Sequence, residues 1–294
     1  MDPRDYGPFP FVPIHRRPQL RWPGGAHVAV WVIPNIEFFP LTRGLAGHPF
    51  EAKGKAPTVR PWGQRDYGNR VGIWRVMEVL KKLDIRATAT LNADICIHHP
   101  EIVEAALQLD WELMGHNETN AVRLTEFEPK EEREVIARCA ARIAEASKGK
   151  RPKGWLGSAL AESWNTLEFL IEEDFSYVAD WVNDDQPYLM NVGGKQIVSM
   201  PYSYEVNDSP FLYYRNGTID EFEKLIRRQF DVLYEEGAQS GRVMAICLHP
   251  FIIGVPHRIK GLESALSYIR SHDKVWFATG SEIVDHYLKS GATF

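Results

Sequence analysis

His27-Val28-Ala29-Val30-Trp31-Val32-Ile33, followed at once by Pro34-Asn35-Ile36-Glu37, is the stretch that decides the fold class of this chain. Its apolar run leaves no polar face, so it reads as a strand buried on both sides, as in a parallel sheet covered by helices. A second run of the same kind, Val243–Leu248, ends in His249-Pro250. Outward from these two, candidate strands lie at Arg86–Leu91, Trp111–Met114, Lys153–Leu156, Ser176–Ala179, Ile197–Met200 and Lys274–Ala278. Helical patterns fall between them. Val71–Leu83 spaces Ile73, Val76, Met77, Leu80 and Leu83 along one face, and Pro100–Leu109 and Pro129–Lys148 open on proline. Thr218-Ile219-Asp220-Glu221 is a capping box that starts a helix ending near Gly237, and Asn165–Glu173, Arg258–Arg270 and Ser281–Leu288 complete the set. Strands alternating with helices predict parallel strands joined by right-handed crossovers, and seven or eight such units favour a closed α/β barrel over an open sheet.

One barrel domain is expected over 26–294, preceded by an irregular arm over 1–25 that carries six prolines. Two stretches break the rhythm. Pro34–Asn69 reads as a long insertion, a lid or an oligomer contact, and Trp181–Lys195 as a loop or a small hairpin through Gly193-Gly194. Apolar residues at 44% and charged residues at 25% exclude a disordered or fibrous chain. A net charge of −5 without a basic run argues against nucleic acid as a partner. The 3 cysteines form no CxxC, so neither a disulfide framework nor a cysteine zinc site is suggested, and a reducing cytoplasm fits. With no apolar stretch long enough to cross a bilayer and no leader pattern at Met1, the expected protein is soluble, cytoplasmic and without a membrane partner.

In parallel barrels, chemistry gathers at the carboxyl ends of the strands. Here those ends supply Asn35 and Glu37, Asn92 to Asp94, Gly115 to Asn120, Gly157 to Glu162, Asp180 to Asp185, Tyr202 to Glu205, and His249. Glu37 and His249 stand out, because each ends a strongly apolar strand where a solvated turn residue would more often be Gly, Asn or Ser.

Taken in order, Glu37, Gly115-His116-x3-Asn120, Gly154-Trp155-Leu156-Gly157, Asp180-Trp181 and Leu248-His249-Pro250 resemble the five motifs of the polysaccharide deacetylase superfamily, carbohydrate esterase family 4-like. The branch most similar is that of the metal-independent allantoinase and related cyclic-amide hydrolases. Tyr67-Gly68-Asn69-Arg70-Val71-Gly72-Ile73-Trp74-Arg75 and Gly254-x-Pro256-His257-Arg258 add to the resemblance, which spans residues 20–290. It implies a distorted (β/α)7-8 barrel and hydrolysis of an amide-type C–N bond.

The departures from the family pattern narrow the chemistry. Metal-dependent members place two aspartates after the first strand, one a base and one a ligand, and add two ligands from His-x3-His. Glu37 is the sole carboxylate of the first motif here and could take either position, with Phe38 beside it; His116 is kept, but its partner is Asn120. One imidazole, one carboxylate and one neutral amide fall short of the three good ligands of catalytic zinc. No cofactor is therefore expected, and a weakly held divalent ion such as zinc, on His116 and Asn120, remains the alternative. The third motif's arginine is missing from Gly157–Glu162.

The expected activity is hydrolysis of an amide, cyclic imide or ureide in a small molecule. Glu37 would take a proton from water and His249 would protonate the leaving nitrogen. The Gly157–Ser158 turn would supply oxyanion donors. Asn35, Tyr67, Arg70, Trp155, Asp180, Trp181 and His257 are the expected substrate contacts. Two alternatives stand beside this reading: a metal-dependent deacetylase of N-acetylated sugars, and a barrel that binds a carbohydrate or amide without catalysis. The aromatic residues Tyr6, Phe9, Phe11, Trp22, Phe38, Phe39, Phe50 and Trp62 in the arm and insertion predict a homo-oligomer in which one of these segments is shared between subunits.

Overall fold

All nine residues of β1 (Val28–Ile36) are buried, as an unbroken apolar run requires. The computed structural model describes residues 5–42 and 59–294, so the centre of the expected insertion, 43–58 with Phe50, lies outside the described residues. The other strands are β2 (Thr88–Leu91), β3 (Glu112–Gly115), β4 (Gly154–Trp155), β5 (Tyr177–Val178), β6 (Tyr188–Val192), β7 (Lys195–Ser199), β8 (Arg242–Leu248) and β9 (Val275–Phe277). They form one sheet in the order β6-β7-β5-β4-β3-β2-β1-β8, with β9 also paired to β1. β1 outruns its expected end at Ile33. One of its edges is held by β9 only to Val30 and by β2 only from Asn35, and Pro34, which has no N–H to donate, sits in that gap.

Every pairing is parallel except β6 with β7. That hairpin resolves the two readings of Trp181–Lys195: Gly193 and Gly194 take φ of 57° and 83°, the left-handed backbone a two-residue hairpin turn needs. The sheet curls into a distorted barrel. Its seam is closed by an irregular segment and not by a ladder, since Cys247 of β8 donates its N–H to Val206 and Val243 donates to Asp185.

The helices are α1 (Val59–Tyr67), α2 (Ile73–Lys82), α3 (Ile95–His98), α4 (Pro100–Gln108), α5 (Pro129–Ala146), α6 (Thr166–Glu172), α7 (Ile219–Gly237), α8 (Pro250–Ile253), α9 (Pro256–Arg270) and α10 (Gly280–Lys289). α1 lies in the expected pattern-free insertion and was invisible there, because Pro61 and Gly63 lower its helix propensity and packing must supply what propensity does not. A π-helical turn over Gly68–Gly72 joins α1 to α2. A Cβ on Gly72 would stand 2.1 Å from the Pro250 carbonyl oxygen, so the glycine permits this segment to lie directly on α8.

Register sets the site. Ile36 pairs with Leu91, Leu91 with Gly115, Gly115 with Trp155, Trp155 with Val178 and Val178 with Ser199, one level row around the sheet. Side chains alternate along each strand, so Val28, Val30, Val32 and Ile36 face the helices while Ala29, Trp31 and Ile33 face the barrel interior with Met114, Leu156, Ala179, Met200 and Cys247. By that parity Asn35, Glu37, Asn92, His116 and His249 continue the interior-facing rows at the carboxyl end.

The arm folds back on its own barrel over much of its length. Leu20 and Trp22 are buried, the Trp22 indole donates to the Arg242 carbonyl at 2.8 Å, and Arg17 makes two 2.6 Å contacts to the Asp184 carboxylate. Phe9 packs edge-on against Trp181 and Tyr188. Tyr6 and Phe11 remain exposed.

Candidate active site

A cavity of about 520 Å³ opens at the carboxyl end of the barrel, lined among others by Asn35, Glu37, Arg65, His116, Asn120, Ser158, Tyr202 and His249. At its floor the register of β1 with β8, Pro34 opposite Leu248, brings Glu37 and His249 together. His249 Nε2 lies 3.6 Å from Glu37 Oε1. On the other side of the ring, Nδ1 donates to Asp208 Oδ1 at 2.7 Å, and the His249 backbone N–H donates to Asp208 Oδ2 at 2.8 Å. Asp208 is fully buried, so both of its oxygens are committed to fixing this one imidazole. Burial alone would depress the His249 pKa, but the carboxylates of Asp208 and Glu37 outweigh it and hold the value above that of free imidazole. Glu37 is raised as well, first by burial, against the opposing pull of His249 and Arg65. An imidazole whose protonated form is favoured by its two carboxylate neighbours thus stands beside a carboxyl group whose proton affinity is raised by burial, a candidate acid beside a candidate base.

Glu37 is held in place from three directions. Asn120 Nδ2 donates to its Oε1 at 2.6 Å, Asn69 donates to its backbone carbonyl at 2.9 Å, and the adjoining Phe38 carbonyl accepts from the Asn120 N–H. His116 Nδ1 donates to the Leu156 carbonyl at 2.6 Å, which leaves Nε2 as the acceptor nitrogen, with Asn120 beside the ring. Burial lowers its pKa to about 4, so this imidazole is neutral. Whether the group fits a catalytic metal turns on this donor set. Asn120 Oδ1 is buried without a hydrogen-bond partner, but it and His116 are neutral donors, and Glu37, whose Oε1 takes the Asn120 hydrogen bond and faces His249, is the one carboxylate among the three. Among the described residues no three His, Cys, Asp or Glu side chains are grouped to hold an ion. The residues present fall short of a zinc centre, and no step below runs through one.

Several expected contacts lie elsewhere. Trp155 is fully buried on the outward-facing row, packed on Phe175, because its parity is opposite to that of Leu156. Arg70 projects into solvent with 74% of its side chain exposed, near Asp66. Tyr67 accepts from Arg75, which also donates to the Gly254 carbonyl; it braces the start of α2 outside the cavity. His257 is exposed in the first turn of α9. Trp181 donates to Glu162 and packs on Phe9. Asp180 acts beneath the site: its Oδ1 accepts the Gly157 N–H at 2.7 Å. That bond removes Gly157 from the expected oxyanion donors. Burial raises the pKa of Asp180 to about 7 and raises that of Glu162 beside it, while Asp180 Oδ2 is buried without a hydrogen-bond partner.

At Ser158 the expectation rests on the backbone N–H, whereas the structure offers the side chain, a buried hydroxyl without a partner in a residue that lines the cavity. The turn that presents it is strained, with Ala159 and Leu160 at φ of 59° and 56°. Asn35 touches the cavity, but it receives Thr90 and donates to the Leu248 carbonyl and Tyr202, tying strand ends together.

Two residues of the site escaped sequence reading, Asp208 and Arg65. Asp208 follows Asn207 in an irregular segment, and only its approach to His249 marks it. Arg65 sits in α1, its guanidinium over the rings of Phe39 and Phe251, each at 5.0 Å to the centroid, and of Tyr213 at 5.7 Å. Arg65, and not Arg70, is the arginine that this helical segment brings to the cavity.

A larger cavity, about 600 Å³, lies at the opposite end of the barrel beside Arg86, Glu112 and Ser281. Its buried carboxylate, Glu112, is saturated by Ser281, Thr88 and Tyr177 and is structural.

The architecture is that of a polysaccharide deacetylase-type barrel, and known proteins of that kind resemble this chain. A Schizosaccharomyces pombe protein provisionally named a polysaccharide deacetylase is 29% identical over 292 residues, covering 89% of this chain and 90% of its own length. The PuuE allantoinase structure superposes with a TM-score of 0.82 at 28% identity, over 93% of this chain and 94% of its own. A probable polysaccharide deacetylase from Pseudomonas aeruginosa PAO1 superposes with a TM-score of 0.84 at 28% identity, over 96% and 98%. No family model matches. These similarities support membership of the polysaccharide deacetylase superfamily and, with it, a C–N hydrolase. The fold is the superfamily's distorted (β/α)7-8 barrel. No described helix is long and apolar enough to cross a membrane.

Proposed function

We propose that this protein hydrolyses the C–N bond of a small amide, cyclic imide or ureide in the cytoplasm, without a tightly bound metal. One observation carries the reading: a buried imidazole oriented by Asp208 meets a buried carboxylate, Glu37, at the floor of the cavity. Glu37 takes a proton from water as its oxygen attacks the carbonyl carbon. The oxyanion of the tetrahedral intermediate is met by the Ser158 hydroxyl. His249 Nε2 then gives its proton to the leaving nitrogen and the C–N bond breaks, which releases acid and amine from a linear amide and a single ring-opened product from a cyclic one. The PuuE allantoinase neighbour supports a ureide or cyclic amide as substrate.

A second reading, metal-assisted deacetylation of an N-acetylated sugar, draws on the relatives' names and on Tyr204 and Tyr214, exposed at 47% and 69% on the cavity rim, where a sugar ring could stack. Assays of hydantoins, cyclic imides, ureides and chitin oligomers, each with and without zinc, separate the two. Turnover of a small compound without added ion supports the first, and turnover confined to oligomers with zinc supports the second. Binding with no turnover by any condition would leave a non-catalytic barrel.

A further inference from the structure

We infer that Arg65 selects the substrate, and that the substrate carries a carboxylate beside its scissile amide. This rests on the hydrolase reading of the same cavity and deepens it. A buried guanidinium is stable only when paired, because the desolvation of a full positive charge must be offset by an anion or by acceptors. Arg65 Nε and Nη1 are buried without a hydrogen-bond partner, and among the described residues no carboxylate forms an ion pair with it. Glu37 lines the cavity with it and feels its charge, but makes its contacts with Asn120 and His249 through Oε1 and forms no ion pair with Arg65. Phe39, Phe251 and Tyr213 surround the guanidinium and contribute cation–π attraction, which offsets only part of the cost of desolvating a full charge. What the protein leaves unmet is therefore the charge of a guanidinium belonging to a residue that lines the cavity, and a planar guanidinium is the group that recognises a carboxylate.

Charge balance points the same way. Asp208 neutralises protonated His249, and Glu37 is spent as the base, so a substrate carboxylate is the group that completes Arg65 without displacing either. A neutral diamide of equal shape would leave it unpaired, and discrimination by a polar site against an analogue lacking the matching group is large.

Calorimetric titration of the full-length protein with malonate, succinate and glutarate, and with their diamides, tests this without any turnover. At least one dicarboxylate is expected to bind tenfold or more tightly than its diamide. Arg65→Gln should abolish that preference, Arg65→Lys should keep part of it, and Arg70→Gln should leave it intact. Equal affinity for acid and diamide in the wild type, absence of binding included, or a preference that survives Arg65→Gln, overturns the inference. Should Arg65→Gln fail to fold, Arg65→Lys decides alone: an unaltered dicarboxylate affinity rejects the planar donor set. Ammonia release from succinamate provides the kinetic arm. KM is expected to rise tenfold in Arg65→Gln with kcat nearly constant, whereas a fall in kcat at constant KM would assign Arg65 to the reacting carbonyl and overturn the proposal. Arg65-dependent binding with no hydrolysis of any amide would sink the hydrolase reading and leave the carboxylate site standing.

Discussion

Glu37 and His249 set opposite requirements on pH, and both are read from their surroundings. The base must be ionised, so activity falls as pH drops through the Glu37 pKa, which burial has moved above the ordinary carboxylate value. The acid must be protonated, so activity falls as pH rises through the His249 pKa, which Asp208 and Glu37 hold above ordinary imidazole against the effect of burial. A bell-shaped profile of kcat/KM is expected, with both limbs displaced upward. Asp208→Asn removes the charge that raises His249, so the alkaline limb should move to lower pH; a limb that stays in place would show that Asp208 only packs. Glu37→Gln, which keeps shape and loses the base, should lower kcat by roughly 10²–10⁴, as should His249→Ala. Either variant retaining more than about a tenth of wild-type turnover would remove it from the mechanism.

Between residue and molecule, the segment α1 to α2 is the element that gives the cavity its wall. It brings Arg65 toward Phe251 and Asn69 toward Glu37, and it can do so because Gly72 has no side chain to meet Pro250. Gly72→Ala should push the segment off α8, at about 1–3 kcal/mol of stability by the usual cost of overpacking, measured by urea unfolding. KM should rise with it, since Arg65 moves too. Arg70→Ala, on the exposed side of the same segment, should alter neither stability nor KM by more than about twofold, the range expected for a solvated side chain. A large rise in KM there would restore Arg70 to the site.

For the whole molecule the expectations concern metal content and assembly. Elemental analysis should find no stoichiometric zinc, and chelation should leave activity largely intact, because Asn120 and Glu37 do not make up a three-ligand centre. One tightly held ion per chain, with activity lost to chelator and restored by that ion, would favour the deacetylase reading. The protein is also expected to form a homo-oligomer. Trp22 and Leu20 are covered by their own barrel, which narrows the contact to what stays open, including Phe11 at 74% exposure beside Tyr6. Light scattering should give a multiple of 33.6 kDa, reduced by Phe11→Ser; a full-length monomer would refute it.

The sequence by itself determined the class of fold, since apolar runs without a polar face alternating with capped amphipathic helices have few solutions besides a parallel barrel. It also determined the pairing of chemistry with strand ends, and so Glu37, His249, His116 and Asn120 were legible. The interior-facing parity of β4 could have been read too, and would have exchanged Trp155 for Leu156 and the turn beyond it. What only the tertiary structure decided are contacts made between segments with no local signature of each other. Asp208 reaches His249 across 41 positions and Asn120 reaches Glu37 across 83, distances over which composition and periodicity carry no information. The exchange of Arg70 for Arg65 has the same origin. Both lie on one continuous helical segment, and which of them faces the cavity is fixed by the π-helical turn and by how closely Gly72 lets that segment approach Pro250. Local sequence sets periodicity within an element, but the phase of an element against its neighbours is settled by packing.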